Sequence, residues 1–138
     1  MPRWLFKQEP GCYSYADLER DGGTLWDGVA NPLALRHLRQ VRRGDRILFY
    51  HTGKEKAVVG EMVAAADAGP DPKQNKGKAV VLEVQAVRRL PYPVPLARIK
   101  EEPVLADWDL VRLPRLSVLP VSAVQWRRVV ELSQELSG

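Results

Sequence analysis

Cysteine is almost missing from this chain: Cys12 is the only one in 138 residues. An internal disulfide is therefore excluded, and one cysteine with two histidines makes a poor zinc site. No metal and no cofactor are expected. Cys12 lies in Pro10-Gly11-Cys12-Tyr13-Ser14, a turn leading into a helix, and reads as a small, partly buried residue. Long apolar runs are missing too, since no stretch approaches the ~20 residues that cross a bilayer. The opening, Met1 to Lys7, runs straight into strand-like sequence without the charged start, apolar block and cleavage site of a signal peptide. The expectation is a cytoplasmic protein with no membrane partner. Catalytic signatures are also absent: there is no GxGxxG, Walker loop, HExxH or GxSxG. His37 and His51 fall on different elements, and no spacing selects a carboxylate pair from Glu9, Asp17, Asp27 and Asp71. No catalytic residue is singled out.

What is present suits one ordinary globular domain over residues 1–138. Hydrophobic residues make up 45% and charged residues 28%, and a chain of this length buries about two-thirds of its unfolded surface. No repeat or long linker divides it. Residues 3–8 read as a first strand. Ser14-Tyr15-Ala16-Asp17 has capping-box spacing, predicting a helix from 15 to 20 that stops at Gly22-Gly23. Asn31-Pro32 is an N-cap and first-turn pair. The helix it opens carries Ala34, Leu35, Leu38 and Val41 on one face and is expected to end near Gly44. Strands follow at 45–52, 57–66 and 79–88, the first two joined by the hairpin turn Gly53 to Lys56. Prolines 91, 93 and 95 force extended backbone, a helical turn covers 96–100, and a last helix runs from 123 to 136 behind Ser122. Trp126, Val129 and Val130 are expected to face inward. Helices do not alternate with the strands, so the class is α+β: a mixed barrel, closed by the first strand, with helices packed outside.

The net charge of +4 and pI near 9.4 permit attraction to phosphate without establishing it. Position says more. Arg36, Arg39 and Arg43 recur at spacings of three and four, a stripe that is either a solvated helix face or a phosphate contact. Lys73, Lys76 and Lys78 add charge to the polar loop between the last two strands. Trp26 precedes Asp27-Gly28 and the helix opening at Asn31, whose first amides would attract an anion. It either packs in the core or walls a pocket. His51 shares a strand face with Ile47 and Phe49. It is either a structural histidine or a residue at the barrel mouth.

Taken in order, several motifs resemble those of the EVE-domain family. They begin with Trp4-Leu5-Phe6-Lys7-Gln8-Glu9-Pro10 before Tyr13-Ser14, and Trp26-Asp27-Gly28-Val29 with Asn31. Gly44-Asp45, Phe49-Tyr50-His51, Val59-Gly60, Pro70-Asp71-Pro72 and Ile99-Lys100 follow. Arg115-Leu116-Ser117-Val118, Pro120-Val121 and Trp126 complete the series. The resemblance implies a PUA-like barrel and a pocket for one nucleobase, often a modified one such as methylated or hydroxymethylated cytosine. Carried over by position, it implies pocket residues Lys7, Trp26, Asn31, Tyr50, His51, Thr52, Asp71 and Ser117. Phosphates would fall to Arg36, Arg39, Arg43, Lys73 and Lys76. The chain departs from the family pattern at Ala30, where arginine is usual, at Thr52, where serine is usual, and in its short lysine-bearing loop.

The leading expectation is thus a non-catalytic reader of DNA or RNA carrying a modified base. Trp26 would stack on the base, and Asn31 and His51 would hydrogen-bond its edge. The alternatives are a hydrolytic relative of the same fold, using Lys7, Glu9 or Asp71, and a small-molecule or protein-interaction domain indifferent to nucleic acid.

Overall fold

The computed structural model describes residues 2–71 and 79–138. Its centre is one mixed sheet. Strands β1 (Arg3–Gln8), β2 (Gly23–Trp26), β3 (Arg46–His51), β4 (Ala57–Ala64), β5 (Gly69–Pro70), β6 (Val80–Pro95) and β7 (Val118–Val121) assemble in the order β2-β6-β4-β3-β1-β7, with β5 attached to β6. The expected neighbours β3, β4 and β6 are indeed adjacent and antiparallel. The expected closure is corrected. β1 does not close a barrel but sits inside the sheet, between β3 and β7, and the two edges β2 and β7 stay unpaired to each other among the described residues. The sheet is open.

One pairing runs against the rest. β1 lies parallel to β3, with Phe6 opposite Phe49 and Lys7 opposite Tyr50. Both strands therefore finish at the same end of the sheet, which is where the polar residues gather. Side chains alternate across a strand, so Phe6, Gln8, Phe49 and His51 share one face while Leu5, Lys7, Leu48 and Tyr50 share the other. The first face carries an aromatic cluster: Trp26 lies 5.4 Å from both Phe6 and Phe49, and Tyr15 5.4 Å from Phe49.

Helix α1 (Tyr15–Asp21) starts on the capping box read from Ser14 and Asp17. Two further contacts seat it on the sheet. The Tyr15 hydroxyl donates to the Glu61 carbonyl at 2.6 Å, and the Tyr15 ring lies over Gly60, where any Cβ would sit 2.6 Å from it. Helix α2 (Pro32–Leu38) is shorter than expected and ends at Arg39, not near Gly44. The cause is Asp45, a buried carboxylate that accepts from the Trp4 indole and the Arg42 amide at 3.0 Å each. It organises residues 39–45 into turns that keep Val41 in the core without extending the helix.

The proline run does not end β6, which continues through Pro95 to pair with Ala57. Each proline removes one donor, and the Tyr92 amide and carbonyl are met instead by Ser133 Oγ at 2.9 and 2.7 Å. After helices α3 (Leu96–Lys100) and α4 (Asp109–Arg112), with a 3-10 turn at Pro103–Leu105 between them, the chain adds β7 to the edge beside β1. It then closes with helix α5 (Ala123–Ser137). The inward stripe of α5 is Val129, Leu132 and Ser133, with Trp126 and Val130 only partly buried. Trp126 instead lies under the Arg3 guanidinium, 5.8 Å from its ring centre.

Candidate nucleic-acid interface

Lys7 and Gln8 are neighbours at the end of β1, and the strand pleat sends them to opposite sides of the sheet. Each lines a different cavity. On the aromatic face, a cavity of about 390 Å³ is lined by Gln8, Cys12, Tyr13, Thr24, Leu25, Trp26 and Asp27. Its chemistry is that of hydrogen bonding against flat rings, with one carboxylate and no cation. The Gln8 side-chain oxygen accepts from the Glu9 amide at 3.0 Å, which leaves its NH2 as the group offered outward. Thr24 supplies a hydroxyl and Asp27 an exposed carboxylate. Tyr13 is steadied by its hydroxyl donating to Asp21 at 2.9 Å. No lysine or arginine lines this cavity.

On the opposite face, a cavity of about 220 Å³ is lined by Lys7, Tyr50, Thr52, Gly53, Lys56, Leu96, Lys100, Leu110 and Pro114. Three of these are lysines and none is a carboxylate. The Lys7 ammonium donates to the Pro114 carbonyl at 2.8 Å and faces the Tyr50 ring at 5.6 Å. It forms no salt bridge among the described residues, and its half-burial pulls its pKa below the ordinary lysine value. Burial likewise pushes the Tyr50 phenol up to about 12, so it stays a neutral hydroxyl at any physiological pH. Lys56 holds a left-handed backbone, φ 46°, a conformation that costs a non-glycine residue on the order of 1 kcal/mol. Its carbonyl is fixed by the Leu96 amide at 2.8 Å. The hairpin turn thus presents a lysine in a strained position beside two others.

The expected pocket residues do not form one group. Lys7, Tyr50 and Thr52 come together on the lysine side. Trp26 belongs to the other face and is 4% exposed, showing the cavity a margin of its ring while the rest packs against Phe6 and Phe49. His51 sits on that face too, but both its nitrogens are engaged within the protein. Nε2 accepts from the Tyr15 amide at 3.0 Å, and Nδ1 meets Glu55 at 2.7 Å. The expected bond from His51 to a base edge therefore has no free nitrogen to make it.

Asn31 Oδ1 caps α2, accepting from Leu33 and Ala34 at 2.9 and 3.0 Å, so these helix amides are not open to an anion as expected. The residue lines a third cavity, of about 300 Å³, with Leu33 and the segment Arg112 to Leu116. Ser117 is joined to Lys7 through the backbone, its carbonyl accepting from the Lys7 amide at 2.9 Å. Asp71 bonds through its amide to Ala79 at the start of β6 and lines none of these three cavities. Arg36, Arg39 and Arg43 are exposed, with Arg43 beyond the helix and its amide bonded to Asp67 at 2.8 Å. The stripe is thus one helical arginine, one at the helix C-cap and one in a turn. Lys73 and Lys76 lie outside the described residues. Cys12 is exposed, not partly buried.

Gln8, Tyr13, Thr24, Asp27, Lys56, Lys100 and Pro114 were not expected in the site from the sequence. Alternation along β1 already separates Lys7 from Gln8, and that signal points to two cavities. Lys56 carries no local signal and Lys100 only its place in the Ile99-Lys100 motif, because only the fold brings the hairpin turn to the end of α3.

Comparison with known proteins decides the family. The sequence model of the EVE domain matches residues 2–132. The chain belongs to the EVE-domain family. This EVE domain is 28% identical to human thymocyte nuclear protein 1, over 96% of its own length and 74% of that protein's. Its structure superposes on a Rhodopseudomonas palustris protein with a TM-score of 0.93, at 38% identity, covering 100% and 97% of the two chains. Against human THYN1 in complex with 5-methylcytosine-containing DNA the TM-score is 0.89, at 28% identity, covering 97% and 98%. An ASCH protein from Zymomonas mobilis, 15% identical with a TM-score of 0.63, shares the fold alone. The architecture is α+β and PUA-like with an open sheet. Among the described residues no helix is long and apolar enough to cross a membrane, and no group of metal-ligating side chains assembles.

Proposed function

We propose that the chain is a single-domain, non-catalytic reader of nucleic acid that accepts one modified base, of the 5-methylcytosine kind, at the C-terminal end of β1. The observation that carries this is the division of labour between Gln8 and Lys7. A nucleotide joins a flat, neutral, hydrogen-bonding base to an anionic phosphate. The Gln8 cavity, with Tyr13, Trp26, Thr24 and Asp27, matches the first part, and the lysine-lined cavity with Tyr50 and Thr52 matches the second. Cavities of this size lie at or below the low end of ligand pockets, roughly 300–1,000 Å³, which suits one base better than a larger ligand. Human THYN1, of the same fold over nearly its whole chain, forms a complex with 5-methylcytosine-containing DNA, and that supports the choice of base.

In this reading the base leaves its stack at a cost of about a few kcal/mol. Contact with Tyr13 and the margin of Trp26 offsets part of it, with base–aromatic stacking worth roughly 1–3 kcal/mol. Gln8, Thr24 and Asp27 read the edge. Phosphates settle on Lys7, Lys56 and Lys100, and Arg36, Arg39 and Arg43 extend the positive surface. These contacts orient the strand without choosing sequence. No chemical step is required, and recovered oligonucleotides are expected to be unchanged. The test is a binding series on otherwise identical oligonucleotides, single- and double-stranded, DNA and RNA, carrying cytosine, 5-methylcytosine or 5-hydroxymethylcytosine. Preference for a modified form, reduced in Gln8→Ala, is the expected result. Equal affinity for all forms sinks the reading.

A further inference from the structure

The third cavity has no part in that reading, and we infer that it seats the base flanking the read one, in an unpaired strand. The inference rests on the proposed function and deepens it. Its surface is mostly aliphatic, with neither the lysines of one cavity nor the aromatic rings of the other: Leu33, Leu113, Pro114 and Leu116 form it, with Leu116 buried and Leu113 40% exposed at the rim. Arg112 and Arg115 frame it, both exposed and neither in a salt bridge among the described residues. An apolar slot between two unpaired guanidiniums suits a group that is flat and uncharged yet tethered to anions on either side. A nucleobase in its strand is such a group.

Two further features fix the occupant as a neighbour in the same strand. Pro114 walls both this cavity and the lysine-lined one, and its carbonyl holds the Lys7 ammonium, so a strand whose phosphate rests on Lys7 continues directly over Pro114. Asn31 is the only uncharged polar residue in the lining, and its oxygen is already spent on α2. Only its NH2 faces a ligand, so it offers donors alone, matching the acceptor atoms on a base edge. A base stacked and paired in a duplex has no face to give to such a slot. The cavity therefore favours an unpaired neighbour.

The test uses single-stranded oligonucleotides of one sequence with a central 5-methylcytosine, in which the 5′ or the 3′ neighbour is either intact or abasic. Loss of the neighbour on one side only is expected to weaken binding about fivefold or more, consistent with the low end of base-stacking contacts. Leu113→Asp and, separately, Arg115→Ala are expected to bind the intact strand about as weakly as the parent binds the abasic one. Both should keep the parent's preference for methylated over plain cytosine. Leu113 is a rim residue, and a second variant guards against any local misfolding. Equal binding of intact and abasic strands on both sides, with the preference for the methylated base retained, overturns the flanking seat and leaves the proposed function standing. Loss of that preference in both variants assigns the cavity to the read base itself and also overturns it. Failure to bind any oligonucleotide removes the proposed function and this seat together.

Discussion

Lys7 and Tyr50 show how one residue pair can set the character of a surface. Their burial disfavours charge on both, which lowers the lysine pKa and raises the tyrosine pKa. A raised folded pKa means stability that is complete below the unfolded value and lost as pH climbs through the folded one. For Tyr50 that window runs from about 10 to about 12. Urea unfolding of the parent at pH 9 and pH 11.5 should show a loss of stability that Tyr50→Phe reduces, with Tyr13 and Tyr15, also raised by burial, contributing the rest. An unchanged loss in the variant would place the alkaline sensitivity elsewhere. Lys7 acts with the opposite sign: its folded pKa is depressed, so its penalty on stability is present at neutral pH and relieved towards its ordinary value. A bound anion should raise that pKa, visible by NMR titration of the lysine side chain with and without oligonucleotide. Trp26 belongs to stability first. Its ring is held between Phe6 and Phe49, so Trp26→Ala should cost about 3–5 kcal/mol in chemical unfolding. A variant that kept parental stability would mean the ring is free for a ligand.

At the scale of elements, the turn from β1 into α1 depends on His51. Its Nε2 accepts the Tyr15 amide, so the ring must carry its proton on Nδ1, against Glu55. His51→Ala leaves a buried amide unmet, at about 1–3 kcal/mol, and hydrogen exchange at the Tyr15 amide should accelerate more than at Leu18. Equal acceleration at both would argue against a local anchor. The helix starts were legible in the sequence because caps are local chemistry: Ser14, Asn31 and Ser122 each cap the helix expected of them. So were β1, β3 and β4, whose apolar and aromatic runs need no partner to be seen. What escaped is what distant contacts decide. β2 and β7 are four residues each, too short to show a period, and exist because β6 and β1 offer them an edge. α2 stops early through Asp45, seven residues beyond its last turn, and β6 outlasts its prolines through Ser133. The candidate site divides in the same way. Lys7, Tyr50 and Thr52 lie close along paired strands, while Lys56, Lys100 and Pro114 reach them only through the hairpin turn, α3 and the segment before β7.

For the molecule as a whole, positive charge is unevenly used. Several arginines are tied up internally, among them Arg128 with Glu102, Glu131 and Glu135, and Arg88 with Glu61. The lysines of the Tyr50 cavity form no salt bridge among the described residues. Each phosphate they neutralise adds about −0.9 to the slope of log K against log salt on duplex DNA, or about −0.7 on a single strand. Lys56→Ala with Lys100→Ala should flatten the measured slope by roughly one to two units. Arg36→Ala with Arg39→Ala tests the pair at the end of α2 in the same assay, with the same flattening expected. A slope unchanged by either pair would make that pair a solvated surface.

The parallel seat of β1 also has a consequence in time. β1 lies between one partner that follows some forty residues later and another, β7, that follows more than a hundred residues later. β3 and β4 can zip as a hairpin at once, but Lys7 must wait for Pro114, 107 positions on, before its ammonium has an acceptor. Loop closure over such a span is entropically costly and slow compared with a hairpin. Binding competence should therefore appear as the last event of refolding, later than the bulk of the sheet signal. Until then a nascent or unzipped chain carries its lysines in water, a weakly positive mix of charges with no seat for a base.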